Sequence, residues 1–464
     1  MSSVRFLGAT GTVTGSKYVF ESRGKRIMID CGLFQGLKEL RQRNWAPLPL
    51  DIHSLDAIIL THAHIDHTGY LPRLVKQGYS GPVYANTATV DLLKIMLMDS
   101  AHLQEEDARF LNKIGATKHR PALPLYNKED AEKAIALLEP VSYGFEFEVI
   151  PGVKAKLKDA GHILGSSFVN LYWQTDEGDK RKIVFSGDLG RANRPILKDP
   201  ATIYNTDYLL VESTYGNRLH EENHPERKLE EIIGETIRKK GSVIIPSFAV
   251  GRTQELLYIL RDLEEQKRIP QVPVFVDSPM AINATEITSR HIENQDLDAR
   301  LLHIKGIDAF KTQNTRFTQT REESQKINDF REPCIIISAS GMLTGGRILH
   351  HLKYRLPDPK HTVLFIGYQA EGTRGRAMLE GKKKIKIHGE HIPVKARVEQ
   401  ISGFSAHADY EEILAWLAGL THPPKSVFIV HGEPEASRSL AEKINETFHW
   451  TVHIPQYDET YKLP

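Results

Sequence analysis

The sequence predicts an α/β protein, and three observations point to it. Short β-type runs separated by glycine turns fill the first ~200 residues. From about residue 205 to 390, helix-like and strand-like segments alternate, as they do where a parallel sheet is built with crossover helices. The last ~70 residues return to strand, helix, strand. At 464 residues the chain is long enough for two or three domains and for a core that can hold a rigid site.

In chain order, Val4-Arg5-Phe6-Leu7, Lys17-Tyr18-Val19-Phe20, Arg26-Ile27-Met28-Ile29 and Ala57-Ile58-Ile59-Leu60 read as strands, punctuated by Gly8, Gly11, Gly15 and Gly24. Gly11-Thr12-Val13-Thr14-Gly15-Ser16-Lys17 has the look of a phosphate loop. Its spacing and residue order are wrong, however, and a strand follows it, so a tight glycine-bearing hairpin is expected. A helix is expected over roughly Thr89 to Ile114, with Leu92, Leu93, Ile95, Met96 and Met98 forming its apolar side. Strands return near Ala155-Lys156-Leu157 and Lys182-Ile183-Val184-Phe185. In the alternating region Tyr208–Val211, Ser242–Ile245, Val274–Val276, Cys334–Ile337 and Val363–Ile366 read as strands. Glu222–Lys240, closed by Gly241, and Val250–Glu265 read as helices. Finally, the strand Ser426–Val430 delivers His431. There are no internal repeats and no low-complexity segment.

Lys and Arg total 60 against 59 for Asp and Glu, so long-range attraction to a polyanion is not written into the bulk charge. A nucleic-acid ligand would have to be held by a local basic patch or by bound metal. Cys31 and Cys334 sit in apolar contexts outside any CxxC pair and read as small core residues, in keeping with a reducing compartment. The N-terminus, Met1-Ser2-Ser3-Val4-Arg5-Phe6, lacks a signal-peptide core, and no run approaches the ~20 apolar residues needed to span a bilayer. The expectation is a cytoplasmic protein with no membrane association.

The densest chemistry is His62-Ala63-His64-Ile65-Asp66-His67, which follows the apolar run Ala57–Leu60 directly. A buried strand that delivers side chains into a loop is a common way to build a site. Imidazoles suit zinc, and the carboxylate with the third imidazole could reach a second ion. Other strand ends carry the same residue types: Asp159-Ala160-Gly161-His162, Phe185-Ser186-Gly187-Asp188 and Ile429-Val430-His431-Gly432-Glu433. Asp30, after Arg26–Ile29, is a candidate to accept a hydrogen bond from a ligating imidazole and so fix its tautomer.

The ordered set Asp30, His62-x-His64-x-Asp66-His67, His162 and Asp188 resembles the metallo-β-lactamase fold signature. Leu210-Val211-Glu212-Ser213-Thr214-Tyr215-Gly216, Gly403-Phe404-Ser405-Ala406-His407-Ala408-Asp409 and Val430-His431-Gly432-Glu433 resemble the three further motifs of the β-CASP nucleases. This resemblance implies an αββα sandwich (1–205 and 393–464) interrupted by a parallel α/β β-CASP domain (206–392). It further implies two Zn²⁺ ions, one held by His62, His64, His162 and Asp188, the other by Asp66, His67, the shared Asp188 and His431. Asp66 would thus serve the catalytic centre directly. His407, in contact with Glu212, would be the general acid. Five of the 21 histidines are so assigned to metal and one to acid catalysis.

Such a centre would lower the pKa of a bridging water and take up charge at phosphorus, leaving 5′-phosphate and 3′-hydroxyl ends on single-stranded RNA. RNA-acting members of the family carry histidine at the position of His431, where DNA-acting members typically carry valine. Ser338, Ser340 and Gly341 are candidates for a phosphate cradle, with a plain turn as the alternative. Tyr368, Arg374 and Arg376 combine an aromatic with two cations, suited to base stacking and backbone charge. Lys382-Lys383-Lys384 reads as a solvated hairpin. Endonucleolytic cleavage is the leading expectation. A 5′–3′ exoribonuclease and a small-molecule thioesterase or lactonase of the same fold are the alternatives, and a degenerate scaffold would have lost ligands that are all present here. Substrate delivery is left to the β-CASP face, a partner or a homodimer.

Overall fold

Strands buried on both faces read as unbroken apolar runs because each face needs cover. Ala57–Ile59, Tyr208–Glu212, Ile335–Ser338 and Ser426–Val430 are buried along their whole length. The structure, a computed structural model, describes residues 2–115, 121–220, 225–367, 369 and 372–464. Tyr368 and the expected helix start at Glu222 lie outside the described residues.

The chain forms two units. One comprises the chain up to Asn193, Lys198–Leu219 and His407–Pro464; the other comprises Arg194–Leu197 and His220–Ala406. The first unit is a sandwich of two seven-stranded sheets. One sheet runs Thr460–Leu463, Ser2–Phe6, Tyr18–Ser22, Lys25–Ile29, Ala57–Ile59, Val83–Asn86, Leu138–Val141. The other runs Val452–His453, Ser426–Val430, Tyr208–Glu212, Lys180–Phe185, Ser167–Gln174, Val153–Asp159, Glu146–Ile150. Their facing sides form one core, in which Phe20 meets Trp173 edge-on with ring centroids 5.0 Å apart and Phe6 meets Phe428 at 5.3 Å. Helix Thr87–Ile114 buries Leu92, Leu93, Met96 and Leu97 beside the first sheet. Helices Tyr410–Leu417 and Pro434–Phe448 close the outer side of the second through Ile413, Leu417, Leu440 and Ile444. This is the expected αββα arrangement.

The second unit is a six-stranded parallel sheet in the order Thr315–Phe317, Val274–Val276, Ile335–Ser338, Val243–Pro246, Thr362–Phe365, Arg397–Gln400. Helices such as Pro225–Arg238 and Arg252–Glu265 pack on it. The hairpin Lys384–Ile387/Glu390–Pro393 follows, with Lys382, Lys383 and Lys384 exposed at its start.

Two expectations shift. Tyr208–Glu212, read with the insertion, pairs in parallel with Lys180–Phe185 and Ser426–Val430 in the first unit. Arg397–Gln400 pairs with Thr362–Phe365 in the second. The insertion bounds therefore fall at His220–Ala406 rather than 206–392; an apolar strand announces burial but not which sheet buries it. Second, the glycine segment joins antiparallel Ser2–Phe6 and Tyr18–Ser22 as a long connection rather than a tight turn. Lys17 turns inward there and is 1% exposed. Among the described residues no helix is long and apolar enough to cross a membrane.

Candidate metal centre

Every side chain of the centre comes from a strand end or the loop after it. Ala57–Ile59 leads into His62 and into the one-turn helix Ile65–Thr68, which carries Asp66 and His67. Val153–Asp159 leads to His162, Lys180–Phe185 to Asp188, and Ser426–Val430 to His431. Asp30 and His431 adopt left-handed backbone with φ of 59° and 50°. Such backbone is uncommon for non-glycine residues and is often found at functional sites.

These residues converge as two groups on opposite oxygens of one carboxylate. His62 Nε2 lies 3.1 Å from His64 Nδ1, and His162 Nε2 lies 3.3 Å from that same atom. Asp188 Oδ2 is 3.4 Å from His62 Nε2 and 3.6 Å from His162 Nε2. On the other side His67 Nε2 lies 3.1 Å from His431 Nε2, and Asp66 Oδ2 is 3.4 Å from the latter. Asp188 Oδ1 faces this group, 3.2 Å from His67 Nε2 and 3.5 Å from His431 Nδ1. Ligand atoms of His62, His64, His162 and Asp188, and of Asp66, His67 and His431, fall within 4.8 Å of one another.

The donor set fits divalent cations on two counts. Asp30, Asp188 and Glu212 are almost wholly buried, and with Asp66 they have only imidazoles, no Lys or Arg, at ion-pair distance among the described residues. Buried charge without compensation is costly, so the cluster calls for positive charge. Asp188 Oδ1 is buried without a hydrogen-bond partner, as a carboxylate oxygen facing a cation would be. Burial pushes the His62 and His64 imidazoles down, His64 to about 4, which keeps them in the neutral form a ligand needs. Burial also pushes His67 down, but Asp188 and Asp30 outweigh it and raise that imidazole well above its ordinary value.

A second layer orients the ligands. Asp30 Oδ2 is 2.7 Å from His67 Nδ1, and its carboxylate accepts from both the backbone and hydroxyl of Thr61. Thr61 Oγ1 also lies 3.0 Å from His62 Nδ1, and Thr214 Oγ1 lies 3.1 Å from His431 Nδ1. Such partners fix ring orientation and tautomer. Neither threonine was singled out from the sequence. Thr61 immediately precedes the His62 motif, and Thr214 stands two residues after Glu212; those positions were the available signals.

Glu212, 0% exposed, accepts from the Leu189 N–H at 2.6 Å, and both its oxygens lie 3.2 Å from His407 Nδ1. Burial alone would lower the His407 imidazole, but Glu212, then Asp188 and Asp66, raise it to about 9.

The structure brings together Asp30, His62, His64, Asp66, His67, His162, Asp188, Glu212, His407 and His431. The expected RNA contacts all lie in the second unit. Ser338 is buried, its hydroxyl donating to the Asp277 carbonyl at 2.8 Å. Ser340 Oγ accepts from Thr344 and Gly345 N–H and so closes its own turn, while the Gly341 carbonyl accepts from Gln369. Arg374 donates to the Lys386, Leu343 and Thr344 carbonyls, and Arg376 pairs with Glu380 at 2.7 Å.

An αββα sandwich carrying a His/Asp centre at its strand ends defines a metallo-β-lactamase-fold hydrolase. Family models match in the same sense: the metallo-beta-lactamase superfamily over residues 10–153, the Beta-Casp domain over 253–378, and a Zn-dependent metallo-hydrolase RNA specificity domain over 391–455. The chain is 37% identical to Ribonuclease TTHA0252 of Thermus thermophilus, over 94% of each chain. It is 32% identical to an RNase J-like protein of Methanocaldococcus jannaschii over 98% of each. Against the transcription termination factor FttA of the same organism, identity is 31% over 97% of this chain and 70% of that one. A crystal structure of an Enterococcus faecalis V583 protein of unknown function shares the fold, with TM-score 0.53 at 12% identity over the whole of both chains. The chain belongs to the β-CASP family of metallo-β-lactamase-fold ribonucleases.

Proposed function

We propose that this protein hydrolyses phosphodiester bonds within single-stranded RNA, using two zinc ions and leaving 5′-phosphate and 3′-hydroxyl ends. The observation that carries the reading is Asp188, whose two oxygens face two separate imidazole groups beside the His407–Glu212 pair. His62, His64, His162 and Asp188 would hold one ion; Asp66, His67, Asp188 and His431 would hold the other. When bound, such ions lower the pKa of attacking water and stabilise charge on the phosphoryl oxygens.

The protein's own groups do the rest. Asp30, Thr61 and Thr214 hold the ligating rings in one tautomer. Glu212 engages His407 at Nδ1, which orients the ring and supports its protonated form, so that His407 would protonate the departing oxygen. A carboxylate that orients a proton-transferring imidazole works likewise in hydrolases of unrelated fold. Relatives named as ribonucleases support RNA as the substrate class.

The test is incubation of metal-quantified protein with 5′-labelled RNA and matched single-stranded DNA. Internal products from RNA alone are expected. Release of mononucleotides from the 5′ end would replace the endonuclease reading with an exonuclease one. Cleavage of a thioester or lactone with neither polymer touched would overturn the proposal.

A further inference from the structure

In the first unit Arg5, Arg23, Arg26, Arg109, Arg181 and Arg191 each lie within 3.9 Å of a carboxylate. Arg41, Arg43 and Arg73 form no ion pair among the described residues; Arg41 and Arg43 lie just before the exposed Trp45 in the chain, and Arg73 faces its ring. The short helix Lys38–Arg43 holds Lys38, Arg41 and Arg43 in solvent, with Glu39 its single acid. Trp45, just after it, is 52% exposed, whereas Trp173 and Trp450 are 3% and 8% exposed. The Arg73 guanidinium lies 6.0 Å from the Trp45 ring; that of Arg43 lies 4.6 Å from Tyr457 and 5.5 Å from Phe34.

This platform is fixed to the metal loop. Buried Asn44 brackets Phe34, accepting from its N–H at 2.9 Å and donating to its carbonyl at 2.7 Å. The Phe34 ring has the buried Lys17 ammonium 4.6 Å away. One residue earlier, the Leu33 N–H donates to the Ile65 carbonyl inside the His62–His67 loop. Exposed cations close in the chain to a half-exposed indole are what a single-stranded nucleic acid uses: bases stack on the aromatic face while guanidinium groups meet the phosphates. Because the chain's net charge is only +1, a local patch has to do this holding.

We propose that Trp45, with Lys38, Arg41 and Arg43, forms a binding subsite for a single-stranded RNA segment on the metal-bearing unit. The inference rests on the ribonuclease reading of the centre and names how that substrate is held.

The test uses the full-length zinc-loaded His407→Ala variant, titrated with fluorescein-labelled oligouridylate while tryptophan emission is followed. Oligouridylate should quench Trp45 emission, and Trp45→Ala should weaken binding about tenfold, whereas Trp45→Phe, which keeps a stacking face, should stay within about twofold. Arg41→Ser with Arg43→Ser should reduce the salt dependence of binding by about two phosphate contacts. In the otherwise native enzyme Trp45→Ala and the double arginine change should raise KM for RNA and leave kcat as it was. If Trp45→Ala binds RNA as tightly as its parent with an unchanged melting temperature, the subsite is refuted. It is refuted equally if polyglutamate, but not oligouridylate, quenches Trp45, since the surface would then be a dock for an acidic protein. Cleavage of RNA with unaltered KM in these variants would remove the subsite and leave the ribonuclease reading. Trp45-dependent binding without any cleavage would do the reverse.

Discussion

His407 is a half-buried histidine whose Nδ1 faces both oxygens of the buried Glu212 carboxylate. His407→Ala should therefore keep its zinc content while kcat falls on the order of 10²–10⁴-fold. Elemental analysis beside single-turnover cleavage decides this, and normal cleavage by the variant would end the acid assignment. Asp188→Ala should behave in the opposite way: both groups of imidazoles lose their shared carboxylate, so zinc content drops along with activity. A variant that still carried a full complement of zinc would refute the bridging role. Asp30→Asn should weaken metal affinity roughly 10–100-fold without removing a direct ligand, measurable by chelator competition. The clustering of the candidate ligands was legible in the sequence because His62, His64, Asp66 and His67 are dense and follow an apolar strand. Thr61 and Thr214 were not, since a hydroxyl matters only through the ring it faces, and that pairing exists only in three dimensions.

At the scale of elements, the loop that carries Asp66 and His67 is held by backbone. The Ser16, Cys31 and Leu33 N–H groups donate to the Asp66, His67 and Ile65 carbonyls. Gly32 sits inside this clasp, where a Cβ would lie 1.6 Å from the Asp66 carbonyl oxygen. Gly32→Ala should thus displace the loop and weaken the ion held by Asp66 and His67 more than the one held by His62, His64 and His162. A zinc isotherm that kept its two-step form unchanged would count against the clasp. Lys17 braces the same region, donating to the Gly32 carbonyl at 2.5 Å. Burial pushes its ammonium down from 10.5 to about 8. Between those values the unfolded chain binds more protons than the fold, so stability rises with pH across that window. Lys17→Met lacks this cost, and its stability advantage should shrink by up to about 3 kcal/mol between pH 8 and 10.5. Urea denaturation in chelator at the two ends of the window tests this; a constant difference would refute it. None of this inward turn was legible, because Lys17 reads as a solvated strand residue until Phe34 and Tyr70 are seen around it.

Across the whole molecule, all the assigned ligands belong to one of the two units. Zinc at about 100 times its dissociation constant stabilises a fold by ~2.7 kcal/mol. Calorimetry with and without chelator should therefore move one melting transition and leave a second in place; equal shifts in both would refute the assignment of all metal to the first unit. The α/β class and the ordered motifs were legible from strand-end residues. The unit boundaries were less so, because Tyr208–Glu212 carries the same apolar signal whether it pairs with its neighbour in sequence or with Ser426–Val430. That pairing has a consequence for biosynthesis. His67 and His431 meet across a separation of 364 residues. A ribosome adding roughly 5–20 residues per second needs ~20–70 s to travel that far. His62, His64, His162 and Asp188 emerge well before His431 does, so on the proposed assignment the first group is complete early. The group of Asp66, His67 and His431 stays incomplete until His431 itself has emerged, so on the proposed two-ion reading activity would arrive later in synthesis than the first ion site.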